Sequence, residues 1–244
     1  MNISVAMATY NGELYIRDQI DSILEQLNKL DELVISDDFS TDSTFDILTE
    51  YAQKDCRIKI YRNKFGKGVV NNFQTAIYNC SNELIFFSDQ DDVWLPNKVS
   101  KITQTFLEKP HIKLIISDIT IVDQELQTIE SSFFKFNKSR TGFINNLIKN
   151  SYIGCAMVIN REYLMSLLPF PKQVPMHDWW IGICSELDGT SYFLNESLLL
   201  YRRHSETVTS LSSQYSVKQK LNFRINLILN IINFKCSKIN KSDI

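Results

Sequence analysis

The apolar residues change period as the chain advances, and that change restricts the fold more than any other feature of the sequence. Ile3 to Thr9 is a short apolar run, after which Ile16, Ile20, Ile23, Leu24 and Leu27 recur at helical spacing before Leu33-Val34-Ile35 opens a second run. A third run at Ile58 to Tyr61 and a fourth at Leu84 to Phe87 are separated by Val69, Val70, Phe73, Ala76 and Ile77, again on one helical face. Such strand, helix, strand alternation predicts a mixed, mainly parallel sheet flanked by helices, an α/β fold. With 244 residues, 44% of them hydrophobic and 22% charged, the chain suits one large domain with an appendage.

In an open parallel sheet the ligand crevice lies beyond the carboxyl ends of the strands. The residues there are unusually polar. The first run is followed by Thr9-Tyr10-Asn11-Gly12, the second by Ser36-Asp37-Asp38-Phe39-Ser40-Thr41-Asp42, and the fourth by Ser88-Asp89-Gln90-Asp91-Asp92. The second half is less regular, with apolar runs at Leu114 to Ile116, Gly154 to Ile159 and Leu198 to Tyr201. Between the last two lie a proline-marked loop, Pro169 to Pro175, and His177-Asp178-Trp179-Trp180.

From about Tyr215 the composition changes. Residues 211–244 hold six Lys/Arg against one acidic residue, Asp243, interleaved with Leu221, Ile225, Leu227, Ile228, Ile231 and Ile232. We divide the chain into an α/β domain, 1–210, and a basic, amphipathic C-terminal helical segment, 211–244. Two readings of that segment stand side by side: docking on an anionic bilayer, and packing on the domain with solvated lysines.

The formal net charge of −2 lacks the excess expected of a nucleic-acid binder. Five cysteines include no CxxC pair and no Cys/His cluster at zinc spacing, which points to a reducing compartment. No basic leader and no run of roughly 18 apolar residues is present, so the expected location is cytoplasmic, at most peripheral at the inner face of a membrane.

Three carboxylates within Asp89-Gln90-Asp91-Asp92 repel one another, and a hard divalent cation shared with substrate phosphates would relieve that repulsion. The same residues also read as an acidic turn ahead of a helix near Pro96-Asn97, the commoner case for such a motif in isolation. Asp37-Asp38 fits both a nucleoside contact and an Asx turn, with Ser40 or Asp42 capping the next helix. Asp178, beside two indoles, is either a partly desolvated general base or a residue at a helix N-terminus.

Taken in order, these segments resemble glycosyltransferase family 2, the inverting nucleotide-sugar transferases of GT-A fold, and in particular its rhamnosyltransferase-like bacterial members. The likeness covers most of residues 1–210. The resemblance implies a Rossmann-like nucleotide-binding sheet, with Thr9, Tyr10, Asn11 and Asp38 at the nucleoside and Asp89 at the ribose or metal. It implies Asp91 and His204 as ligands of Mn2+ or Mg2+, Asp178 as catalytic base, and Arg202, Arg203 and Trp179 toward the diphosphate or substrate. The implied partners are a nucleotide-sugar donor and a glycan or lipid-linked acceptor, with rhamnose as one transferred sugar and UDP-linked hexoses as others. Two departures stand out: Phe39 replaces the glycine usual in the DDGS turn, and Gln90 fills the middle of DxD.

Two other classes compete. Asp89-Gln90-Asp91-Asp92-Val93 also fits the nucleophile motif of haloacid-dehalogenase-like phosphatases, although that family carries it on the first strand. A non-catalytic nucleotide-sugar-binding module is the third reading, against which Asp91 and Asp178 are both intact.

Overall fold

The computed structural model describes residues 1–204 and 216–242. Its first half is the expected alternation: β1 (Ile3–Thr9), α1 (Ile16–Leu24), β2 (Glu32–Asp37), α2 (Thr44–Lys54), β3 (Ile58–Arg62), α3 (Val69–Asn79) and β4 (Leu84–Ser88). The strands β1, β2 and β4 are buried at every residue, as runs covered on both faces must be. Helix α1 turns Ile16, Gln19, Ile20 and Ile23 inward, a stripe at helical spacing.

The second half comprises β5 (Val93–Trp94), α4 (Lys98–Glu108), β6 (Leu114–Val122), β7 (Thr128–Glu130), α5 (Phe133–Asn137), α6 (Phe143–Ile148), β8 (Met157–Asn160), α7 (Arg161–Met165), α8 (His177–Leu187), β9 (Ser191–Arg202) and α9 (Val217–Ser242). The sheet order is β3-β2-β1-β4-β8-β6-β9-β5, with β7 beside β6. β3, β2, β1 and β4 are mutually parallel, β8 is antiparallel to both its neighbours, and β6 runs parallel to β9.

The chain leaves β1 toward β2 and β3 and then crosses back to β4 on the other side of β1. That reversal is the topological switch point of the sheet, and it opens a crevice between the loops after β1 and β4. Register shifts along β6 and β9 between Ser117 and Thr120 bend the far half, and the end of β9 returns Arg202, Arg203 and His204 to the same edge.

The expected strand Leu198 to Tyr201 is the second half of the longer β9. Its first half was not visible as an apolar run because Ser191 to Leu194 are half-buried and Asn195 and Glu196 exposed. The boundary drawn between 210 and 211 lies outside the described residues. Helix α9 packs on the domain through Leu227 and Ile231, and through Phe234 edge-on to Trp180 of α8. No helix among the described residues is long and apolar enough to cross a membrane.

Candidate active site

The loops after β1 and β2 are sewn together by side chains whose spacing in sequence first marked them. Asp37, fully buried at the end of β2, accepts from the Ser40 amide (3.0 Å), the Ser40 hydroxyl (2.5 Å) and Thr9 Oγ1 (3.2 Å), and pairs with Arg62. Ser40 Oγ accepts from Asn11 N (2.9 Å), Asn11 Oδ1 accepts from Thr41 N (2.8 Å), and Thr44 Oγ1 accepts from Gly12 N (2.7 Å). Asp42 rather than Ser40 serves the start of α2: it precedes the N-cap Ser43 and takes the Thr44 amide at 3.0 Å.

Asp38 is thereby left at the crevice, where Asn63 Nδ2 and the Gly68 amide each donate to it at 2.8 Å. Thr9 spends its hydroxyl on Asp37 and the Ser36 carbonyl, and its own carbonyl accepts from Asp38 N and Asn72 Nδ2. Its place is the floor of the loop. Tyr10 remains exposed beside it. Phe39 occupies the turn with φ +63°, the left-handed conformation that a glycine would adopt without strain.

The loop after β4 is joined to the first loop by Gln90. Its Oε1 accepts from Tyr10 N at 2.8 Å and its Nε2 donates to Tyr10 O at 2.9 Å, as a neighbouring strand would. The close approach explains Gly12, because a Cβ there would lie 2.4 Å from Gln90 Oε1.

Asp91 and His204, separated by the greater part of the chain, meet at 2.8 Å between Oδ2 and Nε2, with Tyr15 against the imidazole. Arg202 is almost wholly buried: Nε donates to Asp91 O (2.9 Å), Nη1 to Gln124 O (2.8 Å) and Nη2 to Asp18 (2.9 Å), while its amide donates to Asp92 (3.1 Å). All three of its guanidinium nitrogens are engaged in holding this loop. Arg203 lies partly exposed over Tyr201.

Behind these residues lies a charged core. Donor atoms of Asp89, Asp92 and Cys155 fall within 4.8 Å of one another. Burial first, then the neighbouring carboxylates, pushes the Asp89 and Asp92 carboxyls well above the ordinary range, with Asp178 contributing at Asp89. Lys98, fully buried, donates to Cys155 O at 3.1 Å and sits 4.4 Å over the Trp94 ring; burial brings its ammonium down to about 8. Sequence reasoning missed Lys98, because nothing in Pro96-Asn97-Lys98 marks a lysine for the interior.

Asp178 stands in the first turn of α8, and burial pushes its carboxyl up to about 7, with the Trp179 and Gly154 amides pulling the other way. His177 beside it is buried among Phe73, Phe87 and Phe170, and burial lowers it to about 3. The Trp179 indole donates to Asn146 O at 2.8 Å, tying α8 to α6.

The donor set fits a hard divalent ion better at Asp91 and His204 than in the deeper cluster. Asp91 and His204 offer oxygen and nitrogen at the crevice side, whereas the deeper carboxylates already have an internal cation in Lys98 and a soft thiol as third donor.

A parallel sheet with a switch-point crevice, a bound pair of polar loops and a carboxylate-rich edge defines a nucleotide-handling α/β enzyme. The model of Glycosyl transferase family 2 matches residues 4–168, and the chain belongs to that family. It is 32% identical over 210 residues to the Escherichia coli UDP-Glc:alpha-D-GlcNAc-diphosphoundecaprenol beta-1,3-glucosyltransferase WfgD, covering 85% of this chain and 79% of that protein. It is 28% identical to the Shigella flexneri dTDP-rhamnosyl transferase RfbG, covering 92% and 79%. Among solved structures, S. aureus TarS 1–349 in complex with UDP-GlcNAc superposes with a TM-score of 0.71 at 20% identity, over 94% of this chain and 67% of that one. A Pyrobaculum calidifontis mannosyltransferase in complex with GDP-Man and Mn2+ has a TM-score of 0.59 at 19% identity, over 80% and 54%. The fold is GT-A and the protein is a glycosyltransferase, which sets aside the phosphatase and the non-catalytic module.

Proposed function

We propose that the enzyme transfers a sugar, with inversion, from a pyrimidine nucleoside diphosphate donor to a hydroxyl of a lipid-linked or cell-surface glycan intermediate. Donors of the UDP-hexose and dTDP-rhamnose classes are the ones to test, since relatives carry both in their names. The observation that carries the reading is the Asp91–His204 pair at 2.8 Å on the loop after β4, supported by Asp38 on the loop after β2 and by Asp178, close enough to Asp89 to raise its carboxyl.

Tyr10, Asn11 and Asp38 bind the nucleoside, with Thr9 shaping their loop and Asp89, half-buried at the edge of the charged core, toward the ribose. Asp91 and His204 hold Mn2+ or Mg2+, which when bound neutralises charge on the nucleoside diphosphate. Arg203 takes the diphosphate, whereas Arg202 positions Asp91. Asp178, desolvated but near neutral in affinity for its proton, accepts the proton of the acceptor hydroxyl as that oxygen bonds to the anomeric carbon. The bond from that carbon to the diphosphate oxygen breaks on the opposite face, so a single displacement inverts the configuration. Trp179, fixed on Asn146, borders the acceptor side.

The test is nucleoside diphosphate release from a donor panel, with and without Mn2+, by wild type and Asp91→Asn. Metal-dependent release from one donor that is lost in the variant supports the reading. Release indifferent to both metal and Asp91 would refute the metal assignment.

A further inference from the structure

Helix α9 has two apolar faces, and among the described residues only one of them packs on the domain. Leu227, Ile231 and Phe234 face the domain, whereas Leu221, Ile225, Ile228, Leu229 and Ile232 form a second stripe, with Leu221, Leu229 and Ile232 each more than half exposed. At about 100° per residue the exposed stripe lies roughly 140° around the helix from the packed one, and Asn222, Asn226 and Asn233 take the remaining side. A solvated helix needs no such stripe.

The segment that α9 is bonded to also exposes apolar side chains. Arg224 donates to the carbonyls of Leu147 (3.0 Å) and Ile148 (2.5 Å) at the end of α6, and α6 exposes Ile144 and Ile148 one turn apart, while Phe136 is exposed in α5. Charge has one sign over both pieces. Residues 131–160 contain four Lys/Arg and no Asp or Glu, and residues 216–242 contain six and none. Lys135, Lys138, Arg140, Lys149 and Lys218 are exposed.

We propose that α9 and the α5–α6 segment together form one docking face that lies in the headgroup layer of an anionic bilayer, with the aliphatic side chains in the acyl boundary and the Lys/Arg side chains on lipid phosphates. Exposed Leu and Ile beside a net positive charge, in which Lys235 is already paired with Asp188, fit an anionic lipid surface and repel a second copy of the same face. The face is mechanically joined to the site: α6 holds Trp179 through Asn146, and α9 holds Trp180, both on the helix that carries Asp178. An acceptor anchored in that bilayer would arrive on the side of the base. This deepens the lipid-linked acceptor reading, and its test does not depend on catalysis.

The experiment is co-sedimentation of the full chain with phosphatidylcholine vesicles containing or lacking phosphatidylglycerol. Wild type is compared with Leu221→Asp/Leu229→Asp on α9 and Ile144→Asp/Ile148→Asp on α6. Both pairs are exposed, so unchanged circular dichroism and melting are expected, as is unchanged donor hydrolysis. Binding should require the anionic lipid, weaken with salt, and fall about tenfold or more in each variant. Wild-type binding absent from anionic vesicles would overturn the proposal. So would a loss confined to the α9 variant, or a wild-type dimer that the variants dissociate in place of vesicle binding. Vesicle binding without transfer to any lipid-linked acceptor would leave the face standing and refute the acceptor reading alone.

Discussion

Gln90 lies against Gly12 as closely as two residues of the loops after β4 and β1 allow, and from there its amide closes both hydrogen bonds of the Tyr10 peptide. The middle residue of the DxD segment is therefore a strut between the nucleoside loop and the metal loop. We expect Gln90→Ala to raise the KM for donor about tenfold with little change in kcat, since two hydrogen bonds of about 1 kcal/mol each are lost. Gly12→Ala should do the same by displacing the Gln90 side chain. Their effects should be far from additive in a double-mutant cycle of donor binding, and additive losses would show that the strut does not exist.

Phe39 sits at φ +63°, the left-handed region that a glycine would occupy freely, so the turn holds strain. Its ring lies near Arg62, whose guanidinium is 5.5 Å from the centroid, a weak compensation at an exposed site. Phe39→Gly should be close to neutral, within about 1 kcal/mol, because relief of strain offsets the entropy of glycine and the lost ring contact. Phe39→Val, β-branched in the same conformation, should cost more than about 1 kcal/mol. Urea midpoints of the two variants decide it; a Val variant as stable as wild type would mean the turn is not left-handed.

The Asp178 carboxyl holds its proton more tightly folded, at about 7, than in an unfolded chain at about 3.9. As pH rises between these values the unfolded state gives up its proton first, so this group lowers stability progressively, and the loss is complete above about pH 7. Asp178→Asn should therefore melt higher than wild type at pH 8, in chelator, by an amount equivalent to at most about 4 kcal/mol. That advantage should vanish by about pH 4. An advantage equal at both pH values would assign it to something other than the carboxyl charge.

Arg202 and Arg203 are adjacent but differently placed, and their variants should separate. Arg202→Lys loses the fork that joins Asp18, Gln124 and Asp91 in a buried position, and we expect it to destabilise by about 2–4 kcal/mol in thermal or urea unfolding. Arg203→Lys should leave stability within about 0.5 kcal/mol and weaken diphosphate binding measured by calorimetry. The reverse pattern would exchange their roles.

The parallel half of the sheet was legible because β1, β2 and β4 are buried on both faces and so read as continuous apolar runs. The antiparallel half was not: β5 is two residues long, and β9 begins on half-exposed residues that carry no clear period. Carboxylates that follow strand ends announced the crevice, since strand ends converge in any such sheet. Gln90 and Lys98 could not be placed, because what they do depends on Tyr10 and Cys155, brought to them only by the fold. The Asp91–His204 pair was expected from resemblance alone and is assembled at 2.8 Å.

The most direct test of the proposed chemistry is a comparison of Asp178→Asn with wild type, donor affinity by calorimetry beside transfer rate to an acceptor. The variant should bind donor with unchanged Kd while transfer falls by about 10²–10⁴-fold, the contribution of a general base. Transfer retained at the wild-type rate would remove Asp178 from the role and, with it, the single-displacement mechanism as drawn here.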